Sequence, residues 1–142
     1  MKTTTHQSMR PQRNCVPHAT SLPLDHTPQA PHRARHHTST TLRGWGLSPA
    51  VVDDAVLIVS ELVTNAYLHA RTETVGLELL LDAGQLVISA HDGSPTPIDV
   101  TTPCHTPGCE HGRGLGIIRT LAHAVGCSPT ATGKTVWALM AV

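Results

Sequence analysis

The sequence predicts an α+β domain. Three stretches carry that prediction: a long amphipathic helix from Ser48 to about Ala70, a β-hairpin over residues 75–90, and an alternating strand that closes the sequence at Val142. The 142 residues suit one ordinary domain with a single moderate core. Residues 1–17, polar and rich in Thr, Arg and Pro, carry no apolar period and are expected to form a disordered leader, leaving 18–142 as the domain.

The first element after the leader is "HATSLPL", expected as a short edge strand. "PQAPHRARHHTSTTLRGWGL" follows, with a helix expected from near Pro31 to the turn at Gly44–Gly46. The strongest helix signal then begins. Ser48 suits an N-cap, Pro49 the first helical position, and Asp53 and Asp54 the early turns, where the helix dipole favours acids. Val51, Val52, Ala55, Val56, Val59, Leu62, Val63 and Ala66 recur at the spacing of one buried face. Glu61, Asn65 and His69 form a polar stripe beside it, at successive i, i+4 steps.

Val75, Leu77, Leu79 and Leu81 alternate with other residues, "DAGQ" turns the chain, and Leu86, Ile88 and Ala90 alternate again, as a hairpin requires. "HDGSPTP" stops the second strand. The aperiodic Pro/Gly/Cys/His segment up to about His111 is too long for an ordinary connection and is expected to be a lid or binding loop. "GRGLG" opens a helix whose expected buried face is Leu115, Ile118, Leu121, Ala122 and Val125. A single last strand is expected after it, with Val136, Ala138, Met140 and Val142 on one face. There is no internal repeat.

Composition narrows the function. Ten basic residues balance ten acidic ones, so no global field favours nucleic acid or an anionic membrane. With no Phe, one Tyr and two Trp, stacking on bases is not expected either. The apolar runs fall short of the ~20 residues that span a bilayer, and the N-terminus lacks a signal-peptide centre; a cytoplasmic protein is expected. Cys15, Cys104, Cys109 and Cys127 are then expected as reduced thiols.

Glycines ahead of a helix let a backbone approach a ligand, and the free N–H groups of a helix start bind anions. "GRGLG" therefore suits a phosphate site, although a tight loop that merely starts a helix has the same sequence. "GKT" at 133–135 is not the tail of a P-loop, because position 128 holds Ser128 instead of Gly and only seven residues follow. A dinucleotide fingerprint fails as well, since the glycines follow an irregular loop and not a strand of a βαβ unit.

The order of these features resembles a known family. A helix with Glu61 and Asn65, a strand ending in Asp92-Gly93, a long loop, a glycine-rich helix start and Gly133-Lys134-Thr135 before a strand resemble the GHKL ATP-binding fold of gyrase and histidine kinases. Within that fold they resemble the small anti-sigma-factor serine kinases of bacteria. The resemblance runs from about His18 to Val142 and is closest in "VSELVTNAYLHA", "HDGSP", "GRGLG" and "GKTVW". It implies a two-layer α/β sandwich with a mixed, mostly antiparallel sheet covered on one face by helices.

The resemblance also implies roles. Asn65 would ligate Mg²⁺ through its amide oxygen, a hard ligand for a hard ion. Glu61, one turn earlier, would be the general base. Asp92 would accept a hydrogen bond from the adenine 6-amino group, with Gly93 turning the chain beside the ring and Thr135 reaching the base through water. The backbone of Gly112, Arg113, Gly114, Leu115 and Gly116 would wrap the phosphates, with the Arg113 side chain a further contact. His69 either extends the stripe or is an ordinary helix-end histidine.

Two departures stand out. Where the broader family has Asp-x-Gly-x-Gly, this sequence has Asp92, Gly93, Ser94, Pro95 and Thr96, so both later glycines are missing and looser retention of ATP is expected. The lid also carries Cys104, His105, Cys109 and His111, a set with the look of a soft metal site or of chance. The function implied is an ATP- and Mg²⁺-dependent serine/threonine kinase of the anti-sigma type, with a sigma factor and an anti-anti-sigma antagonist as partners, and homodimers are frequent in the family. The alternative is a non-catalytic ATP-binding module that acts by protein binding. A gyrase-like ATPase is not expected, because the sequence carries no transducer domain.

Overall fold

The computed structural model describes residues 16–69, 74–94 and 110–142, and at 69 and 110–114 the backbone alone. Its elements are β1 (His18–Asp25), α1 (Ala30–Gly44), α2 (Pro49–His69), β2 (Thr74–Asp82), β3 (Gln85–Asp92), α3 (Glu110–Leu121), β4 (Ala124–Pro129) and β5 (Lys134–Ala141). The five strands form one sheet in the order β1-β2-β3-β5-β4, and every pairing is antiparallel. The sheet is therefore wholly antiparallel among the described strands, not mixed. The edge strand, both long helices and the hairpin lie where the periodicity placed them.

Local chemistry sets the boundaries. Ser48 caps α2 as expected, its Oγ accepting from Val51 N at 3.4 Å. In α1, Ala30, Ala34, Thr38 and Leu42 are buried four residues apart, and Thr38 Oγ1 donates to the Ala34 carbonyl at 2.8 Å, which satisfies a hydroxyl inside the core. The hairpin turns on Ala83 and Gly84, both at positive φ (49° and 75°), the backbone that a two-residue hairpin loop needs.

One strand was not anticipated. The helix was expected to carry Val125 on its buried face, but α3 ends at Leu121 and residues 124–129 form β4 instead. "AVGCSP" holds a glycine and a proline and only two inward apolar positions, Val125 and Cys127, so its alternation is too short to compete with the helical period running into it. Pairing with β5 supplies what the local sequence lacks: Gly126 lies opposite Trp137, and a Cβ there would fall 2.2 Å from the indole.

Alternation sorts the sheet into two faces. Leu77, Leu79, Leu86, Ile88, Ala90, Val136, Ala138 and Met140 point inward to a core completed by Val52, Ile58, Val59, Leu62 and Val63 of α2 and by Leu115 and Ile118 of α3. α2 packs on α1, α3 and β3 and is the centre of the helical layer. Among the described residues no helix covers the other face. No described helix is long and apolar enough to cross a membrane.

Position on α2 sets the cost of truncation. Leu62, 1% exposed, should lose about 2–5 kcal/mol of stability as Leu62→Ala. Leu57→Ala, at a position 43% exposed on the same helix, should cost under about 1 kcal/mol by chemical denaturation. Equal losses would refute the assigned helix face.

Candidate functional site

Chain direction collects the site at one end of the sheet. β3 finishes at Asp92, opposite Lys134 where β5 begins, and β2 begins beside them, with Gly76 opposite His91. α2 ends at His69, only residues 70–73 before β2, so its C-terminal half lies at that same end. α3 stops two residues before β4 starts at the far end, so the glycine-containing turns at its beginning are directed back toward Asp92. Asn65, Asp92, Lys134 and the start of α3 are thereby brought to one region.

Its centre is a buried ion pair. Lys134 Nζ lies 3.1 Å from Asp92 Oδ1, with side-chain exposures of 3% and 2%. The Ser94 N–H donates to the same Oδ1 at 2.8 Å, and Lys134 also reaches the Ser94 carbonyl at 3.5 Å. Among the described residues both donors fall on Oδ1, so a further donor is taken at Oδ2. Gly133 makes the approach possible: a Cβ there would lie 1.9 Å from the Asp92 carbonyl oxygen and 2.6 Å from Gly93 Cα. The β4–β5 turn closes on the same residue, with Thr130 N donating to the Gly133 carbonyl at 2.9 Å.

On α2, Asn65 is 8% exposed, and its amide has no hydrogen-bond partner among the described residues. Native interiors rarely leave such a group unsatisfied, because its desolvation costs about 1–3 kcal/mol. Glu61, one turn earlier, is half-buried and also lacks a side-chain partner among the described residues. A buried amide oxygen and a half-buried carboxylate on one helix face fit a hard cation carried by a phosphate. Among the described residues no group of three His, Cys, Asp or Glu could hold a metal unaided. One protein ligand shared with substrate phosphates is the habit of Mg²⁺.

The glycine-rich segment differs from expectation. α3 begins at Glu110, so Gly112, Arg113, Gly114, Leu115 and Gly116 lie within the helix and not ahead of it. Helix geometry leaves free the N–H groups of the first three helical residues, 110–112, while those of Arg113, Gly114, Leu115 and Gly116 turn to carbonyls of the preceding turn. Leu115 is a core residue, 2% exposed, and a Cβ added at Gly116 would meet nothing within 4 Å, so close approach does not require glycine there. Of that set only Gly112 keeps a backbone donor suited to an anion.

Thr135 lies on the face opposite Asp92 and Lys134. It follows Lys134 on β5 and so points to the uncovered face, where Thr135 Oγ1 and His91 Nδ1 are 2.5 Å apart; His91 Nε2 pairs with Glu78 Oε2 at 2.8 Å. That face has its own cleft of about 450 Å³, lined by Thr74, Gly76, His91, Thr130, Thr132 and the Asp92-Gly93 corner. Cys104, His105 and Cys109 lie outside the described residues, as do the side chains of His69, Arg113 and His111.

Lys134 and Gly133 shape this region, and the motif reading used them only to mark the start of the last strand. The signal was present: Lys134 shares the inward parity of Val136, Ala138 and Met140, and a charge on a core face demands a buried partner.

The chain matches the family model of the histidine kinase-like ATPase domain over residues 24–140. Among solved structures it is similar to the RsbU and RsbW domains of Rv1364c from Mycobacterium tuberculosis, with a TM-score of 0.67 and 19% identity. That match covers 87% of this chain and 32% of the other, a likeness of fold. No curated protein sequence matches the chain.

The ion pair gives a stability test. Lys134→Met should destabilise by about 3–5 kcal/mol, because it strands a buried carboxylate. Adding Asp92→Leu to that variant should recover part of the loss. A double variant less stable than Lys134→Met would show that the two charges do not form the coupled pair.

Proposed function

The chain belongs to the family of histidine kinase-like ATPase domains, and from that membership we propose that it binds ATP with Mg²⁺ and transfers phosphate to a serine of an antagonist protein. Its release or capture of a sigma factor would depend on that transfer. The observation that carries the reading is the buried amide of Asn65, which has no hydrogen-bond partner among the described residues and lies one turn beyond Glu61 at the same end of the sheet as Asp92.

Bound ATP supplies the phosphoryl group, and Mg²⁺ neutralises its oxygens. The chain positions and polarises. Asn65 would offer its amide oxygen as a hard ligand to that ion. Glu61 would accept the proton of the attacking serine hydroxyl, a role suited to a half-buried carboxylate without a partner among the described residues. Asp92 accepts from an exocyclic amino group at the oxygen opposite its Lys134 contact, and the carbonyl of guanine would meet an acceptor there. The free N–H groups at the start of α3 would hold the phosphates, because the positive end of the helix dipole favours an anion.

The likeness to a solved structure that includes an RsbW domain supports the anti-sigma assignment by fold, and the sigma factor and antagonist are inferred as partners on that ground. Homodimers are proposed on the same family grounds.

Competition binding should show preference for Mg·ATP over Mg·GTP, and equal competition would remove Asp92 from base recognition. Glu61→Gln should keep nucleotide affinity while slowing transfer to a supplied antagonist by about 10²-fold or more. Asn65→Ala should weaken the Mg²⁺-dependent part of binding. If the wild type binds ATP yet never phosphorylates an antagonist, the chain is an ATP-binding module that acts by protein contact alone.

A further inference from the structure

Helix α1 carries Arg33, Arg35 and Arg43 with His32, His36 and His37, and no acidic residue at all. This bias is local, since the whole sequence balances ten acids against ten bases. Arg35 is committed inward, its Nη1 donating to Ser60 Oγ of α2 at 3.0 Å. His37 is held between α1 and β1, with Nε2 3.3 Å from Thr20 Oγ1, and burial lowers its pKa below the ordinary histidine value. His32, Arg33 and His36, by contrast, are exposed.

These three line a groove of about 380 Å³ between α1 and β1, together with His37, Thr40 and Thr41, and with Leu22 as its apolar floor. Every polar side chain on the wall can donate a hydrogen bond, and among the described residues no carboxylate lines it. The groove runs beside the outermost strand of the sheet, since β1 pairs only with β2 among the described strands. An extended segment laid there would meet the open backbone edge of β1 as well as the donors of α1.

We propose that the groove between α1 and β1 is a docking site for an acidic, extended segment of a partner protein, recognised by Arg33, His32 and His36 through its carboxylates. Charge complementarity selects the occupant: a wall of donors with an arginine suits paired carboxylates, and the leucine floor suits an apolar residue between them. The site is separate from Asn65 and Asp92 and does not require the kinase reading to hold.

The test uses a fluorescein-labelled decapeptide of alternating Glu and Val, read by anisotropy against the full chain at low and at physiological salt. Binding that weakens with salt is expected, and the matching peptide with Gln for Glu should bind at least tenfold more weakly. Arg33→Ala and His36→Ala, both at exposed positions, should each weaken the acidic peptide severalfold while leaving Mg·ATP affinity and melting temperature unchanged. Absence of acidic-peptide binding to a folded, ATP-competent protein would overturn the proposal. So would binding indifferent to both substitutions, or tighter binding of a single-stranded oligonucleotide of equal charge.

Discussion

The closed contact between Asp92 and Lys134 is the constraint on which the site depends. Two charges with side-chain exposures of 2% and 3% cannot be left apart, because an isolated buried ion costs several kcal/mol after relaxation. Their meeting fixes where β3 ends and β5 begins, and it holds the Ser94 N–H on the same carboxylate oxygen. Gly133 lets the β4–β5 turn lie directly on the Asp92-Gly93 backbone, a distance that no side chain permits. Cross-strand register, carboxylate orientation and the turn beyond the strand are thus set by one local packing problem.

The two-layer arrangement explains why chemistry gathers at that end. An antiparallel sheet with helices on one face brings alternate strand ends together, and α2 adds its C-terminal half while α3 adds its N-terminal turns. The inward parity of β3 and β5 delivers Asp92 and Lys134 to the helix side, and the outward parity delivers His91 and Thr135 to the other. Adjacent residues in the sequence therefore serve different faces. Thr135 with His91 and Glu78 makes a hydrogen-bonded chain across three strands, separated from Asn65 by the thickness of the sheet.

Much of this was legible in the sequence where one physical signal acted alone. The period of Val52, Ala55, Val59, Leu62 and Val63 gave α2, and the two alternations around "DAGQ" gave the hairpin in its register. Glu61 and Asn65 were found because i, i+4 spacing places polar groups on one line. β4 was hidden because its pairing with β5, a tertiary effect, outweighs the weak preference of "AVGCSP". The start of α3 was misplaced because glycines suggested a loop, yet the helix continues N-terminally to Glu110. Lys134 is hard to read from sequence because a lysine at a strand start is ordinarily exposed, and only its partner Asp92, 42 residues earlier, makes its inward parity tolerable.

The central claim is that the buried Asn65 amide, without a partner among the described residues, meets the metal of bound nucleotide. Substituting Mn²⁺ for Mg²⁺ with ATP and following side-chain amide and indole NMR signals tests this directly, because a paramagnetic ion broadens only nearby nuclei. The Asn65 side-chain NH₂ signal should vanish on addition of Mn·ATP, while the Trp137 indole signal on the uncovered face persists. An Asn65 signal that survives saturation of the protein with Mn·ATP would contradict the account.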